Sequence, residues 1–202
     1  MSTKLPILYS FRRCPYAMRA RMSIVRTGYI CEHREVILRD RPKHMMEISP
    51  KGTVPVLLLQ NGNVIEESLE IMQHVLSWDL SAGELHWVDR NDNEFKFHLD
   101  RYKYPNRYDN VDALEHRSLA KTYLDDLDQF LATKISSSLN DALFPFVRKF
   151  ANHDRTWFDT QNWENLPDWL AANLSSDKFA LCMKKYPQWY EGDKLVIFPP
   201  TE

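Results

Sequence analysis

Glycine is scarce: five residues in a chain of 202. So few, and so scattered, they form no glycine-rich loop of the kind that cradles phosphate, which removes the common nucleotide-binding fingerprints. Cysteine is scarcer. Cys14, Cys31 and Cys182 are an odd number with no Cys-x-x-Cys among them, so the sequence offers neither the disulfide framework of a small secreted protein nor zinc-ligand spacing. The seven histidines are scattered too, and no metal site is expected. No run approaches the roughly 20 apolar residues that span a bilayer. Met1-Ser2-Thr3-Lys4 leads into a short apolar run ending at Arg12-Arg13, which does not read as a secretory signal. Neither sign of charge dominates: 26 Lys+Arg stand against 28 Asp+Glu, for a net charge of −2. That argues against a uniformly basic nucleic-acid binder and against a highly charged disordered chain. The expectation is a reduced, cytoplasmic, globular protein of one or two domains, with no membrane or nucleic-acid partner and enough chain to bury a core without staples.

The charge is unevenly spread. Residues 1–60 carry 11 Lys/Arg and only 4 Asp/Glu, so the remainder is acidic. Alone, this asymmetry says only that two regions have differently solvated surfaces; with a site beside it, it suits an anionic ligand in the first region.

The pattern divides in two. Leu5–Ser10 reads as a strand, Cys14-Pro15 opens a helix that Gly28 stops, and Cys31–Leu38 reads as a second strand. A short helix from Asp40-Arg41-Pro42 to Ile48 and a turn at Ser49–Thr53 follow. Val54–Leu59 is an apolar strand with proline near its start, joined through Asn61-Gly62 to Val64-Ile65 as a hairpin. Glu66-Glu67-Ser68 leads into a helix with Leu69, Met72, Leu76 and Leu80 on one face. Beyond this β-α-β-α-β-β-α unit the reading is nearly all helical. Leu85–Asp92 reads as a connection, followed by helices over Glu94–Tyr104 and Asp112–Thr133. Ser138-x-x-Asp141 looks like a capping box before the apolar stretch Ala142–Val147. Helices over Leu166–Leu174 and Asp177–Tyr186 and an irregular tail from Pro187 complete the chain. The domains expected are 1–80 (α/β), 81–92 (linker) and 93–202 (all-α).

Three short stretches carry candidate chemistry. Cys14-Pro15-Tyr16-Ala17 puts a thiol between a strand and a helix start, where the helix dipole, free N–H groups and Arg12, Arg13 and Arg19 suit an anionic sulfur nucleophile. Cys31 and Cys182 lack those neighbours and read as small buried hydrophobes. A cysteine-histidine hydrolase arrangement has no positive support. Thr53-Val54-Pro55-Val56 contains an X–Pro bond that can be cis, exposing Val54 backbone groups to an extended peptide; on local sequence alone an ordinary trans proline is the simpler reading. Glu67-Ser68 joins a carboxylate to a helix N-terminus, a pairing that suits the α-amino, α-carboxylate end of an amino acid; alone it is equally plain helix capping.

In combination these parts resemble a known family. Cys-Pro-Tyr at a strand-to-helix turn, Val-Pro before a hairpin and Glu-Ser at a helix start resemble a thioredoxin-like domain. Followed by a helical domain, the whole is similar to cytosolic glutathione transferases. Phe11-Arg12-Arg13-Cys14-Pro15-Tyr16, Asp40-Arg41-Pro42, Ser49–Leu57 and Glu67-Ser68 are similar to the omega class and its bacterial omega-like relatives, and Ser138-x-x-Asp141 resembles that family's helical-domain capping box. The resemblance implies a thioredoxin-like α/β domain and a helical-bundle domain that supplies a second-substrate pocket. It implies glutathione as cosubstrate, no metal, and a homodimer. Cys14 would be the nucleophile; Val54 would pair with the cysteinyl backbone of glutathione, with Pro55 cis; Glu67 and Ser68 would hold the γ-glutamyl end. Arg41 falls where the omega class has a lysine near the glycyl carboxylate, and Tyr16 where it has an aromatic. Ala17 stands in place of a second redox cysteine, so the implied cycle is monothiol. Tyr9 and Ser10 lie near the activating hydroxyls of other classes; both read as structural, with Ser10 still able to touch the ligand. The implied function is glutathione-dependent thiol transfer or reduction acting on disulfides, dehydroascorbate-type oxidants, glutathionyl conjugates or other small hydrophobic cosubstrates. The alternatives are conventional conjugation without Cys14 and a non-catalytic binding protein of the same fold. Tyr102, Tyr104 and Tyr108, with Lys103 and Arg107 between them, read as a helix face or pocket wall, and Trp157, Trp163, Trp169 and Trp189 as packing or rim.

Overall fold

The first strand, β1 (Ile7–Ser10), runs down the centre of a five-stranded sheet. A computed structural model describes residues 4–200; Met1-Ser2-Thr3 and Thr201-Glu202 lie outside the described residues. β2 (Cys31–Glu35) lies parallel to β1, with Tyr9 opposite Arg34. On the other side β3 (Val56–Leu58) is antiparallel to β1 and pairs in turn with β4 (Val64–Ile65). The Asn61-Gly62 signal is realised there: Gly62 sits at φ +88°, and Leu59 and Asn63 close the turn through a 2.8 Å bond.

Two helices pack against one face of this sheet. α1 (Pro15–Thr27) begins with proline at its first turn and ends at Gly28, whose left-handed φ of +66° turns its N–H back to Ile24. α3 (Ser68–Leu76) buries Ser68, Ile71, Met72 and Val75 and ends at Leu76, four residues short of the expected Leu80. Between them Leu8, Ala20, Ile24, Cys31, Leu57, Ile71 and Val75 make one apolar cluster. Fully burying an aliphatic or aromatic side chain of this size is worth about 1.5–3 kcal/mol. Tyr9, Ala17, Val36, Met45, Val54 and Val56 make a second, reached by the short helix α2 (Lys43–Ile48).

The chain forms two compact units, and their division differs from the expected one. Residues up to Asp79 and those from Ser176 on form one; Leu80–Ser175 form the other. The expected linker is itself a helix, α4 (Ala82–Arg90), closed by a reciprocal capping box between Ser81 and Glu84. It runs through a wider π turn at Asn91–Phe95 directly into α5 (Lys96–Lys103). α6 (Ala113–Leu131) is capped by Asp112 and buries Ala120, Tyr123, Leu124 and Leu127, as its apolar stripe predicts. α7 (Ser137–Ala151) starts earlier than expected: Ser136, not Ser138, is the cap, its hydroxyl accepting from the Leu139 N–H, and Ser138 and Asp141 lie inside the helix. α8 (Arg155–Asp159) and α9 (Leu166–Leu174) complete this helical unit.

The tail is the largest departure. α10 (Asp177–Cys182) is shorter than expected, and the segment read as irregular contains a strand, β5 (Ile197–Phe198). β5 pairs antiparallel with β2, Cys31 opposite Phe198, making the sheet order β4-β3-β1-β2-β5. Phe198 is fully buried in the sheet's own core. The tail therefore belongs to the first unit because it supplies both a strand and a core aromatic. A sheet with two parallel and several antiparallel strands, backed by α1 and α3, is a thioredoxin-like domain; the second unit is all-helical.

Candidate functional site

Cys14 is the residue before the first turn of α1. Its backbone is extended (φ −75°, ψ 124°), so the chain enters the helix there. Its carbonyl accepts from Met18 at 2.8 Å and its N–H bonds to the Phe11 carbonyl at 3.1 Å. No side chain caps this helix start. The partly exposed Cys14 Sγ lies 3.6 Å from the Val54 carbonyl oxygen. The Val54–Pro55 peptide is cis, as the resemblance implied and unlike the simpler local reading.

The other predicted residues join this pair through short links. Arg41 donates from Nε to the Gly52 carbonyl at 2.6 Å, tying the loop after β2 to the turn that leads into Val54. Next in that turn, Lys51 Nζ donates to Glu67 Oε1 at 2.6 Å, an exposed bond that holds the Lys51 amine above its ordinary range. Glu67 is the N-cap of α3 but gives it no side-chain cap bond. Ser68 opens the helix and is buried; its Oγ accepts from Arg19 Nε at 3.0 Å, and the Arg19 guanidinium also lies 5.2 Å over the Tyr16 ring. Cys14, Tyr16, Arg41, Val54, Pro55, Glu67 and Ser68 thus form one connected patch of the first unit. Two free helix N-termini, those of α1 and α3, contribute to it.

The cationic surroundings differ from those the sequence suggested. Arg19 reaches Ser68, Arg13 stacks 5.5 Å from the Phe11 ring, and Arg12 uses its backbone N–H on Glu35 Oε1 at 2.7 Å. Two further residues, with no motif of their own in the sequence, build the site. Lys51 pairs with Glu67, and Arg21, fully buried, holds the loop before Cys14. Its guanidinium donates to Ser10 Oγ, to the Phe11 carbonyl at 3.3 Å, to the Arg12 carbonyl at 2.7 Å and to the Cys182 carbonyl at 3.1 Å. An arginine on the inner face of a helix is the only sequence sign of that role.

Two expected alternatives lose their footing. The Ser10 hydroxyl is fully buried and accepts from Arg21, so the expectation that it could touch a ligand is corrected. Tyr9 is also fully buried, its hydroxyl bonded to His44 Nδ1 and accepting from Arg34, each at 2.6 Å. Burial pushes the Tyr9 phenol up. Cys31 and Cys182 are buried, as read; burial pushes the Cys31 thiol up to about 12. In the helical unit, Tyr102 is core, packed on Phe150, whereas Tyr104 and Tyr108 carry Arg107 and Arg101 on their rings at 4.2 and 4.4 Å. Trp163 is packing, donating to Asp125 at 2.7 Å. Among the described residues no group of three or more His, Cys, Asp or Glu could hold a metal ion, and no helix is long and apolar enough to cross a membrane.

A thioredoxin-like unit and an all-helical unit in one chain define the fold of the glutathione transferases. The chain superposes with a TM-score of 0.77 on a glutathione transferase family member from Pseudomonas fluorescens with two glutathione bound, at 16% identity over 91% of this chain and 94% of that one. Residues 8–79 match the family described as glutathione S-transferase, N-terminal domain. A probable glutathione transferase of Aplysia californica is 42% identical over 55 residues, 27% of this chain and 60% of that protein. Glutathione S-transferase omega-1 of Mus musculus is 36% identical over 62 residues, 31% of this chain and 26% of that protein. The matches span at most 60% of the length of these curated relatives.

Proposed function

We propose that the protein is an omega-like glutathione transferase that carries out glutathione-dependent thiol transfer through Cys14. The observation that carries this reading is the position of the Cys14 sulfur: at a helix start, 3.6 Å from the Val54 carbonyl, in one patch with the α3 N-terminus. In this reading the Val54 backbone pairs with the cysteinyl part of glutathione. Ser68 and the α3 N–H groups hold the γ-glutamyl carboxylate, Glu67 takes its ammonium, and Arg41 lies toward the glycyl carboxylate. Tyr16 flanks the thiol. The relatives' omega name and the glutathione in the Pseudomonas protein support the same choice.

The step follows from a single thiol. The Cys14 thiolate attacks the glutathione sulfur of a mixed disulfide; the S–S bond breaks and the leaving thiolate takes up a proton. A second glutathione thiolate then attacks the glutathione sulfur of the Cys14 adduct, releasing glutathione disulfide and restoring the Cys14 thiolate. One free glutathione sulfur is oxidised for each substrate sulfur reduced, and the glutathione of the mixed disulfide leaves as the other half of glutathione disulfide. Ala17, fully buried where a resolving cysteine would stand, leaves that second step to free glutathione. A cytoplasmic homodimer accompanies this reading, testable by sedimentation equilibrium.

The test is glutathione-dependent reduction of a small glutathione mixed disulfide by wild type, Cys14→Ala and Cys14→Ser. Loss of activity in both variants, with glutathione binding retained, is the expected result. Equal activity in wild type and Cys14→Ala overturns the cysteine mechanism; absence of glutathione binding in the wild type overturns the transferase reading.

A further inference from the structure

The helical unit contains a cavity of about 400 Å³ at the end where α4 and α7 begin and α6 stops. Residues of these three helices and of the turn between α6 and α7 border it, and none of them is proposed for glutathione. Its size lies in the usual range for small-molecule sites, about 300–1,000 Å³.

Its wall carries a pair of aromatic rings. Trp87 and Phe130 stack with centroids 4.6 Å apart and planes 28° from parallel. Both line the cavity and both are partly exposed, so a ligand reaches them. Trp87 is braced by the protein: the buried Tyr123 ring meets it edge-on at 5.8 Å, and the Arg90 guanidinium lies 5.6 Å from its ring centre. Arg90 is itself held by Glu94 and Asp126, at 3.0 and 2.9 Å. A flat apolar surface fixed in one orientation suits a planar ring.

Gly83 keeps this surface open. It lies in the first turn of α4 with ordinary helical backbone, and a Cβ built on it would meet nothing within 4 Å. Neither the backbone nor the packing calls for glycine here, and glycine is a poor helix former. What its missing side chain does is leave one side of the cavity clear.

Two charged residues border the cavity, and only one is engaged. Glu84 Oε2 accepts from the Ser81 N–H at 3.0 Å and from the Ser81 hydroxyl at 2.9 Å, and its Oε1 accepts from the Ser136 hydroxyl at 2.5 Å. The carboxylate is thus spent on joining the caps of α4 and α7, whose positive dipole ends offset its charge. Lys134 is exposed and has no hydrogen bond or ion pair among the described residues. A ligand therefore meets an unengaged ammonium group beside a flat aromatic surface.

We propose that this cavity is a small-molecule site for a planar aromatic monocarboxylate. The ring packs against Trp87 and Phe130, and the carboxylate pairs with Lys134. The site is separate from the thiol chemistry at Cys14.

The test is calorimetric titration of the full chain at pH 7.5 with 2-naphthoate, in the presence and absence of saturating glutathione, against 2-naphthamide, which has the same shape and no charge. The expected result is one saturable site for 2-naphthoate, unaffected by glutathione, with the amide about fivefold weaker, the effect of one partly exposed ion pair. Lys134→Met keeps the stem and removes the charge; it is expected to bring 2-naphthoate down to the affinity of the amide and leave the amide unchanged. Gly83→Leu places a side chain in the cavity at a position where the helix tolerates it, and is expected to abolish binding of both compounds without lowering the melting temperature. Absence of saturable binding in the wild type means a solvated cavity only and overturns the proposal. So do equal affinities for acid and amide, displacement by glutathione, or wild-type binding in Gly83→Leu. An acid-over-amide preference that survives in Lys134→Met, an exposed substitution that leaves the fold alone, overturns it as well.

Discussion

Replacing Arg21 should cost more than any other single substitution in the first unit. Arg21→Met keeps the packed stem but deletes the guanidinium, and with it the four bonds to Ser10, Phe11, Arg12 and Cys182. Hydrogen bonds from an ionised donor are worth about 1.5–3 kcal/mol each, but part of that returns as water reaches the acceptors nearest the surface. The Ser10 hydroxyl is fully buried and the Cys182 residue nearly so. At least those two acceptors stay dry, at about 1–3 kcal/mol apiece. The net loss expected is about 3–5 kcal/mol, a large share of a typical total of about 5–15 kcal/mol. At about 2–4 °C per kcal/mol for a chain of this size, the first unit should melt roughly 10 °C lower. Arg21→Lys should do little better, because one ammonium cannot reach acceptors spread around a planar fork. Urea unfolding followed by circular dichroism, with amide exchange of α1 to assign the loss to this unit, measures it. A loss below about 1 kcal/mol in Arg21→Met, or near-wild-type stability in Arg21→Lys, would refute the view that this side chain holds the loop before Cys14.

Acidification should destabilise the protein. Burial is the leading cause that holds His33, His98 and His153 below their ordinary range; beyond it, Arg21 acts on His33, His116 on His98 and Lys103 on His153, while the Glu35 hydrogen bond partly opposes the shift of His33. Between their folded values and the unfolded value of about 6.5, the unfolded chain binds more protons than the native one, so stability falls as pH drops below about 6.5 and does not respond to these groups above it. Melting temperatures at pH 7.5 and 5.5 test the sign; an unchanged or higher value at 5.5 contradicts it. In the helical unit, Asp128 accepts the Asn165 and Leu166 N–H groups at 2.8 and 2.7 Å and that of Glu164 at 3.2 Å, capping α9 from another helix. Asp128→Ala should cost about 2–4 kcal/mol in urea unfolding, and Asp128→Asn, which keeps an acceptor oxygen, clearly less. Gly52 has φ +61°, and a Cβ there would come 3.1 Å from Met46 Sδ and 3.2 Å from Arg41. Gly52→Ala should lose about 1–2 kcal/mol and weaken glutathione binding together, since the side chain displaced is Arg41.

The first unit was legible because its signals are local. Pro15 and Gly28 bracket α1, and Asn61-Gly62 makes the β3–β4 turn. Burial alternates along Cys31–Glu35, although its inward residues include His33 and Glu35. The linker was misread because Ala82–Arg90 has little apolar periodicity; the Ser81-x-x-Glu84 box that starts it was the available signal. Three serines in a row, Ser136–Ser138, offer the same capping chemistry, and only the backbone decides that Ser136 is the cap. β5 is not legible because a two-residue strand has no period, and its partners, Cys31 and Glu32, lie at the other end of the chain. For the site, the motif residues were found in place. Arg21, Arg19 and Lys51 were not seen in their roles, since buried arginine hydrogen bonds depend on which carbonyls the fold brings near, and no spacing encodes that.

The proposed chemistry depends as much on what is withdrawn as on what is offered. A thioredoxin-like domain places several nucleophilic or activating groups near the end of its first strand, and in this chain all but one are used elsewhere. The Tyr9 hydroxyl serves His44 and Arg34, and the Ser10 hydroxyl serves Arg21. Ala17 is packed against Tyr9 and Val36, where a second thiol would allow intramolecular resolution. Arg12 contributes its backbone to Glu35 and Arg19 its side chain to Ser68. Cys14 is left as the one partly exposed cysteine among the described residues, with no competing hydroxyl within its loop. In the proposed reading a glutathione mixed disulfide meets a thiolate rather than a hydroxyl donor, and a thiolate in line with a disulfide sulfur exchanges with it. Tyr9→Phe should therefore leave disulfide reduction within about threefold of wild type while lowering stability through the two lost hydrogen bonds. A Tyr9→Phe variant that folds well yet loses the activity would show that the phenol, not the thiol, carries the reaction.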